Sequence, residues 1–215
     1  MSAPPPVTGV GPLSPAQLRD WYAVPPEHAD GTWVRGSFIT TLDGRATGPD
    51  GRAGSLNEGS EGDHAVFNHL REWADVVVVG AGTARAEGYT PMAGVPLAVV
   101  SRGTLEPESL RRPDGDAGEV VFISGHGTDI TAAGVLATLH DHGWRRIVLE
   151  GGPHLFGSWL RERLVNELCV TVRPVLTGGD GPLLVPPGVD LGGLLGSPTH
   201  LLTWGGDILV RTRLG

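Results

Sequence analysis

Apolar positions along the middle of the chain follow two alternating rhythms. Asp75-Val76-Val77-Val78-Val79 and Arg146-Ile147-Val148-Leu149 are unbroken aliphatic runs behind one polar residue, as expected of strands covered on both faces. Between such runs the spacing becomes helical. Over Ser60–Ala74 the residues Ala65, Val66, Leu70 and Trp73 fall on one face, and over Thr131–His142 so do Val135, Leu136 and Leu139. Ser60 with Asp63 makes a capping-box-like start, and Gly143 sits where a helix C-terminus favours glycine. Leu97–Ser101 and Glu119–Ser124 read as further strands, 83 onward as a short helix, and Pro153–Arg163 as an amphipathic helix.

The pattern differs at the two ends. Residues 1–12 are small and Pro-rich and are expected to be loosely attached. Ser14 N-caps a short helix with Pro15 in its first turn, and Trp33–Thr41 is a strand followed by a long glycine-rich loop to Asn57. Pro107–Gly118 reads as a charged surface loop. Near the C-terminus Asn166–Arg173 alternates like a half-exposed strand, and Gly205-Gly206 reads as a two-residue hairpin turn between two more. Together these elements predict an α/β fold, a three-layer αβα domain with a mixed, mostly parallel sheet of about eight strands. Residues 1–30 form an N-terminal extension and 31–215 the main domain.

Composition narrows the function. A net charge of −8 argues against a nucleic-acid partner. No apolar run reaches the ~20 residues of a membrane span, and no signal pattern precedes the fold, so a cytoplasmic location is expected. The single cysteine, Cys169, lies in an alternating strand and reads as a buried, inert thiol. The eight histidines show no metal-ligand spacing, and no metal is expected.

Candidate chemistry gathers at strand ends. Val79-Gly80-Ala81-Gly82-Thr83 and Leu149-Glu150-Gly151-Gly152-Pro153-His154-Leu155-Phe156 are both strand–glycine–helix junctions. Such junctions let backbone approach a ligand and aim a helix N-terminus at a phosphate, although each could equally be an ordinary βα turn. Ser101 and Arg102 end another strand, where a hydroxyl and a guanidinium suit the 2′-phosphate of NADP, with a solvated surface arginine as the plainer alternative. Asp43 is either a pocket acid or a turn aspartate before Gly44. Glu150, ending an interior strand, must be hydrogen-bonded or functional. Arg71 binds a substrate anion or pairs with Glu72 or Asp75.

In order and spacing these pieces resemble the reductase domain of riboflavin biosynthesis, the C-terminal part of the bifunctional deaminase–reductase, which has the dihydrofolate reductase fold. The resemblance runs from about Trp33 to Arg213. It rests on Thr41-Leu42-Asp43-Gly44-Arg45, Leu70-Arg71, the Asp75–Thr83 strand with its G-x-G-T, Val100-Ser101, Glu150-Gly151-Gly152-Pro153-His154-Leu155 and Leu164-Val165-Asn166-Glu167-Leu168. It implies an NADPH-dependent reductase acting on 5-amino-6-(5-phosphoribosylamino)uracil without metal or flavin, and a homodimer. Cofactor contacts carry over to Thr40, Asn57, Thr83, Glu87, Ser101 and the turn over 152–158; the junction glycines Gly80, Gly82, Gly151 and Gly152 belong with them, and Arg102 is added from its charge. Substrate contacts carry over to Ser55, Arg71 and Glu150. Asp43, Glu87 or Glu150 organises proton delivery.

The chain departs from the family in two ways. Its first acid after G-T-x-x-A is Glu87 rather than Asp, and the arginine that follows in the family and helps hold the sugar phosphate has no equivalent in Glu87-Gly88-Tyr89-Thr90-Pro91-Met92-Ala93-Gly94. A deaminase unit ahead of the first long strand is not expected, so the chain reads as a stand-alone form. Two other readings stay open: a dihydrofolate or pterin reductase on the same scaffold, and a non-catalytic NADP-binding sensor.

Overall fold

The computed structural model describes residues 5–103, 110, 118–125 and 130–215. The charged loop expected at 107–118 lies largely outside the described residues. The strands are β1 (Val7–Val10), β2 (Trp33–Thr41), β3 (Val76–Gly80), β4 (Leu97–Ser101), β5 (Val120–Ser124), β6 (Arg146–Leu149), β7 (Glu167–Arg173), β8 (Gly196–Trp204) and β9 (Asp207–Leu214). The helices are α1 (Pro15–Trp21), α2 (Gly54–Asn57), α3 (Glu61–Trp73), α4 (Ala81–Ala86), α5 (Ala132–Asp141) and α6 (Pro153–Arg161).

Among the described residues the strands make one nine-stranded sheet in the order β1-β8-β9-β7-β2-β6-β3-β4-β5. Only β9 runs against its neighbours, antiparallel to both β7 and β8. The expected three layers follow from the valine run. In β3, Val77 and Val79 enter a core with Val66 and Leu70 of α3 and Leu18 of α1. Val76 and Val78 enter the opposite core with Val135 and Leu139 of α5 and Phe156, Trp159 and Leu160 of α6. A strand with helices on both faces has no solvent side, so it carries no polar alternation.

The N-terminal expectation needs correction. Val7–Val10 is not loosely attached but forms a parallel edge strand, with Val7 opposite His200 and Val10 opposite Thr203. Gly11 permits the next step of the chain, since a Cβ there would lie 2.5 Å from the Trp204 indole. The strand is short and Pro-flanked, and its partner is distant in sequence, so local pattern does not reveal it.

A buried ionic knot ties this end of the chain to the sheet. Glu167 forms an ion pair with Arg35, Nε to Oε1 2.9 Å, and accepts from Arg211 Nη2 at 2.6 Å, with all three side chains nearly inaccessible. The same two guanidinium groups donate to the backbone carbonyls of Trp21, Tyr22 and Ala23, where α1 ends. Cations are favoured at a helix C-terminus, and the five carboxylate and carbonyl contacts offset charges that burial alone would expel. Cys169 is buried beside Glu167 as expected, and burial pushes its thiol pKa well up.

Candidate active site

The parallel strands β2, β3 and β6 end on one edge of the sheet, where a cleft of about 490 Å³ opens. Its lining includes Ser37 and Phe38 of β2, Asn57 of α2, Asp63, Phe67 and Arg71 of α3, Gly82 and Thr83 of α4, and Glu150 through Pro153. The two glycine junctions meet here. Gly80 N–H donates to the Gly151 carbonyl at 2.7 Å. Gly151 has φ +119, a conformation that disfavours any side chain, and the Gly151–Gly152 peptide is cis. A Cβ on Gly152 would sit 2.5 Å from Thr83 Oγ1. No side chain caps α6 at Gly152, so its first-turn N–H groups are left for solvent or a ligand.

The floor of the cleft is a charged cluster that local sequence does not predict. Arg71 Nε and Nη2 donate to Glu150 Oε1 and Oε2 at 2.7 and 2.6 Å, a two-pronged pairing. Tyr89 Oη donates to Glu150 Oε2 at 3.0 Å. The Glu150 side chain is 1% exposed and that of Arg71 15%. The Arg71 guanidinium also lies 4.1 Å from the centre of the Phe67 ring. Burial alone would lower the Arg71 pKa, but the bonds and charge of Glu150 raise it. The Tyr89 phenol is pushed well above its ordinary value, first by burial and then by the Glu150 charge. Arg71 therefore pairs with Glu150, not with Glu72 or Asp75.

Other expected residues take structural places. Asp43 lies outside the cleft lining and acts as a turn aspartate. It accepts from Thr41 Oγ1 at 2.6 Å and from the Thr177 and Gly178 N–H groups at 3.2 and 2.9 Å. Those bonds, the Thr41 hydroxyl foremost, hold its pKa at about 2. Glu87 does line the cleft, yet its carboxylate receives the Ala53 and Gly54 N–H groups at 2.9 and 3.1 Å and so fixes the start of α2. Ser55 points to Asp50 at 2.6 Å and is not in the lining. Thr40 is buried in β2 outside it.

Of the residues expected to contact a cofactor, Asn57, Gly82, Thr83, Gly151, Gly152 and Pro153 converge on the cleft. Asn57 Oδ1 and Thr47 Oγ1 are buried there without a hydrogen-bond partner. Gly80, Ser101, Arg102, His154 and Leu155 are not in the lining. Ser101 bonds its own turn at Gly103, and Arg102 is exposed. Phe156 is wholly buried against Phe38, with ring centres 4.3 Å apart, because the apolar face of α6 turns it into the core. It cannot contact a cofactor with its side chain. Asp63 is expected only as part of a helix start, but it is a buried acid in the cleft wall, about two turns before Arg71 on α3. Its place four residues before Phe67 and eight before Arg71 is the signal that puts all three on one helix face.

Comparison with known proteins agrees with this architecture. The model of the RibD C-terminal domain matches residues 32–210. The riboflavin biosynthesis protein RibD of Mycobacterium tuberculosis is 30% identical over 158 residues, covering 69% of this chain and 43% of that protein. The chain thus spans less than half the length of that relative. A 2,5-diamino-6-ribosylamino-4(3H)-pyrimidinone 5′-phosphate reductase of Archaeoglobus fulgidus is 25% identical over 184 residues, covering 68% of this chain and 82% of that one. The crystal structure of a pyrimidine reductase-like protein from Corynebacterium diphtheriae shares the fold, with a TM-score of 0.75 at 22% identity over 92% of this chain and 98% of that one. With a sheet, a glycine-lined cleft and a domain match that agree over most of its length, the chain belongs to the RibD C-terminal domain family.

Proposed function

We propose that the chain is an NADPH-dependent reductase of a ribosylaminopyrimidine 5′-phosphate. The observation that carries this reading is the convergence of both glycine junctions with the Arg71–Glu150 pair in one cleft at the strand ends. The residues present suit a dinucleotide. Asn57 Oδ1 and Thr47 Oγ1 are unpartnered acceptors, Gly82 has open space around it, and the uncapped start of α6 favours a phosphate. Asn57, Gly82, Thr83, Gly151, Gly152 and Pro153 would hold the cofactor. The chemistry supplied by bound NADPH is a hydride for the imine-like C1 carbon of the ribosylamino group.

The chain's own part is positioning and charge. Glu150 fixes the Arg71 guanidinium, whose remaining N–H groups bind the substrate. Tyr89 Oη and Glu150 Oε2 form the hydrogen-bonded pair that holds a proton near the substrate nitrogen. Asp43 and Glu87 are positioning residues, since backbone N–H groups occupy their carboxylates. The division into an N-terminal extension over 1–30 and a reductase domain over 31–215, a cytoplasmic location and a homodimer belong to the same reading. No helix among the described residues is long and apolar enough to cross a membrane.

One observation favours a second reading. Among the described residues that line the cleft, Arg71 is the single guanidinium, and it already serves Glu150. A dihydropterin, which needs no phosphate site, would suit that charge balance.

The test is NADPH titration by fluorescence, with NADH as control, followed by NADPH oxidation with each substrate. Oxidation with the ribosylaminopyrimidine phosphate supports the first reading, and oxidation only with a dihydropterin or dihydrofolate supports the second. Binding without turnover identifies a sensor. Binding of neither nucleotide overturns all of them.

A further inference from the structure

Asn57 reaches the cleft from a helix too short to hold itself. α2 is a single turn of four residues, Gly54–Asn57, with no side-chain cap at Ala53. A turn of that length is unstable alone, so its geometry is imposed by its surroundings. Glu87 grips its start through the Ala53 and Gly54 N–H groups. Its end is held by Arg173, whose Nη1 donates to the Leu56 carbonyl at 2.8 Å and to the Glu58 carbonyl at 3.0 Å. These are the carbonyls on either side of Asn57. The Asn57 carbonyl itself accepts from the Ser60 N–H at 2.9 Å.

The grip closes on itself. Arg173 ends β7 and Asp207 begins β9, and the two strands pair with Val172 opposite Ile208. Arg173 Nε pairs with Asp207 Oδ1 at 3.0 Å, and Asp207 Oδ2 accepts from Ser60 Oγ at 2.5 Å. Ser60 is wholly buried and the Asp207 side chain is 4% exposed. A charged, hydrogen-bonded network out of water holds its members more firmly than a surface pair does. Arg173, Asp207 and Ser60 do not line the cleft, yet the residue they frame does. Asn57 Oδ1 is buried there without a hydrogen-bond partner, and burial makes an unused acceptor costly until a ligand takes it up.

We propose that Arg173 is a positioning residue for the cofactor. By fixing the carbonyls that flank Asn57 it aims the Asn57 amide into the cleft, where Oδ1 accepts from a hydroxyl or an amide N–H of the dinucleotide. This inference rests on the dinucleotide reading above and assigns to it a residue outside the cleft. Arginine suits the task, because Nη1 spans the two carbonyls while Nε stays on Asp207. Without that grip α2 keeps the Glu87 hold at its start, but Asn57 at its end is free to turn away.

The experiment is a double-mutant cycle on the NADPH Kd, read by fluorescence titration of Arg173→Met, Asn57→Ala and the double variant, with thermal unfolding of each. Each single change should weaken NADPH binding by about tenfold, the worth of one hydrogen bond. In the Asn57→Ala background Arg173→Met should add less than about twofold, because the residue it positions is gone. Arg173→Met that lowers Tm but leaves Kd unchanged, or weakens binding by the same factor in both backgrounds, overturns the proposal and leaves Arg173 a purely structural residue. So does an Asn57→Ala variant that binds NADPH as the wild type does. Asp207→Asn is the milder variant should Arg173→Met not fold. Its amide leaves an oxygen for Arg173 and an N–H for the Ser60 hydroxyl while removing the charge. It should show the same dependence on Asn57, and equal weakening with and without Asn57 overturns the proposal. A wild type that does not bind NADPH overturns the dinucleotide reading itself and this proposal with it.

Discussion

Glu150 and Arg71, seventy-nine residues apart in the chain, meet through two N–H···O bonds of 2.7 and 2.6 Å at the floor of the cleft. Glu150 directly follows β6 and Arg71 lies in the last turn of α3, so the pairing fixes the helix against the strand end as well as shaping the site. Glu150→Gln keeps the shape but removes the charge and one acceptor from a buried guanidinium. The expected loss is about 2 kcal/mol of stability by urea unfolding. In the proposed reaction Glu150→Gln should lower kcat/KM by at least about tenfold with NADPH affinity little changed, and Arg71→Lys should do likewise, because Lys cannot form the fork. Unchanged turnover in Glu150→Gln would remove Glu150 from the mechanism.

Gly152→Ala tests the close approach of the two junctions. Its Cβ would press on Thr83 Oγ1 at 2.5 Å. Overpacking of this kind costs about 1–3 kcal/mol. NADPH affinity should fall with it, and adding Thr83→Ala should recover much of the stability. A double-mutant cycle showing simple additivity would contradict the contact.

Asp43 predicts an acid limb. Its carboxyl titrates at about 2 in the folded protein against an ordinary value of 3.8, with the Thr41 hydroxyl as the leading cause. The depressed folded pKa means that its stabilising effect is present above the ordinary value and is lost as pH falls from about 4 toward 2. Thermal unfolding of the wild type and Asp43→Asn should therefore differ at pH 5 and converge near pH 2. A constant difference across that range would assign the effect to something other than this ionisation.

Glu167→Gln should be among the most damaging single changes outside the cleft. It leaves Arg35 and Arg211 buried without the carboxylate charge that they share. Breaking such a cluster costs about 3–5 kcal/mol, read by urea unfolding. Because the knot also grips the carbonyls at the end of α1, proteolysis between α1 and β2 should accelerate in the variant.

The sheet was legible where one kind of residue dominates a run. Val76–Val79 announces a doubly covered strand, and Gly205-Gly206 lies between Trp204 and Asp207, which pair across the hairpin as expected. The glycine junctions were legible for a similar reason, since close approach leaves a residue-type mark. What sequence left hidden is pairing across distance. Nothing near Arg71 indicates that its partner is Glu150 rather than Asp75. Asp75 instead holds Arg146 at 2.6 Å. Phe156, expected at the cofactor, and Asp63, expected only at a helix start, both depart from those places because helix rotation, set by packing, sends the first inward and the second to the cleft wall.

The edge strand β1 sets an order on synthesis. β1 leaves the ribosome well before its partner β8, since Val7 pairs with His200. β8 in turn is held on its other side by β9. The nascent chain must therefore carry β1 unmatched until β8 has been made, and this edge of the sheet closes only then.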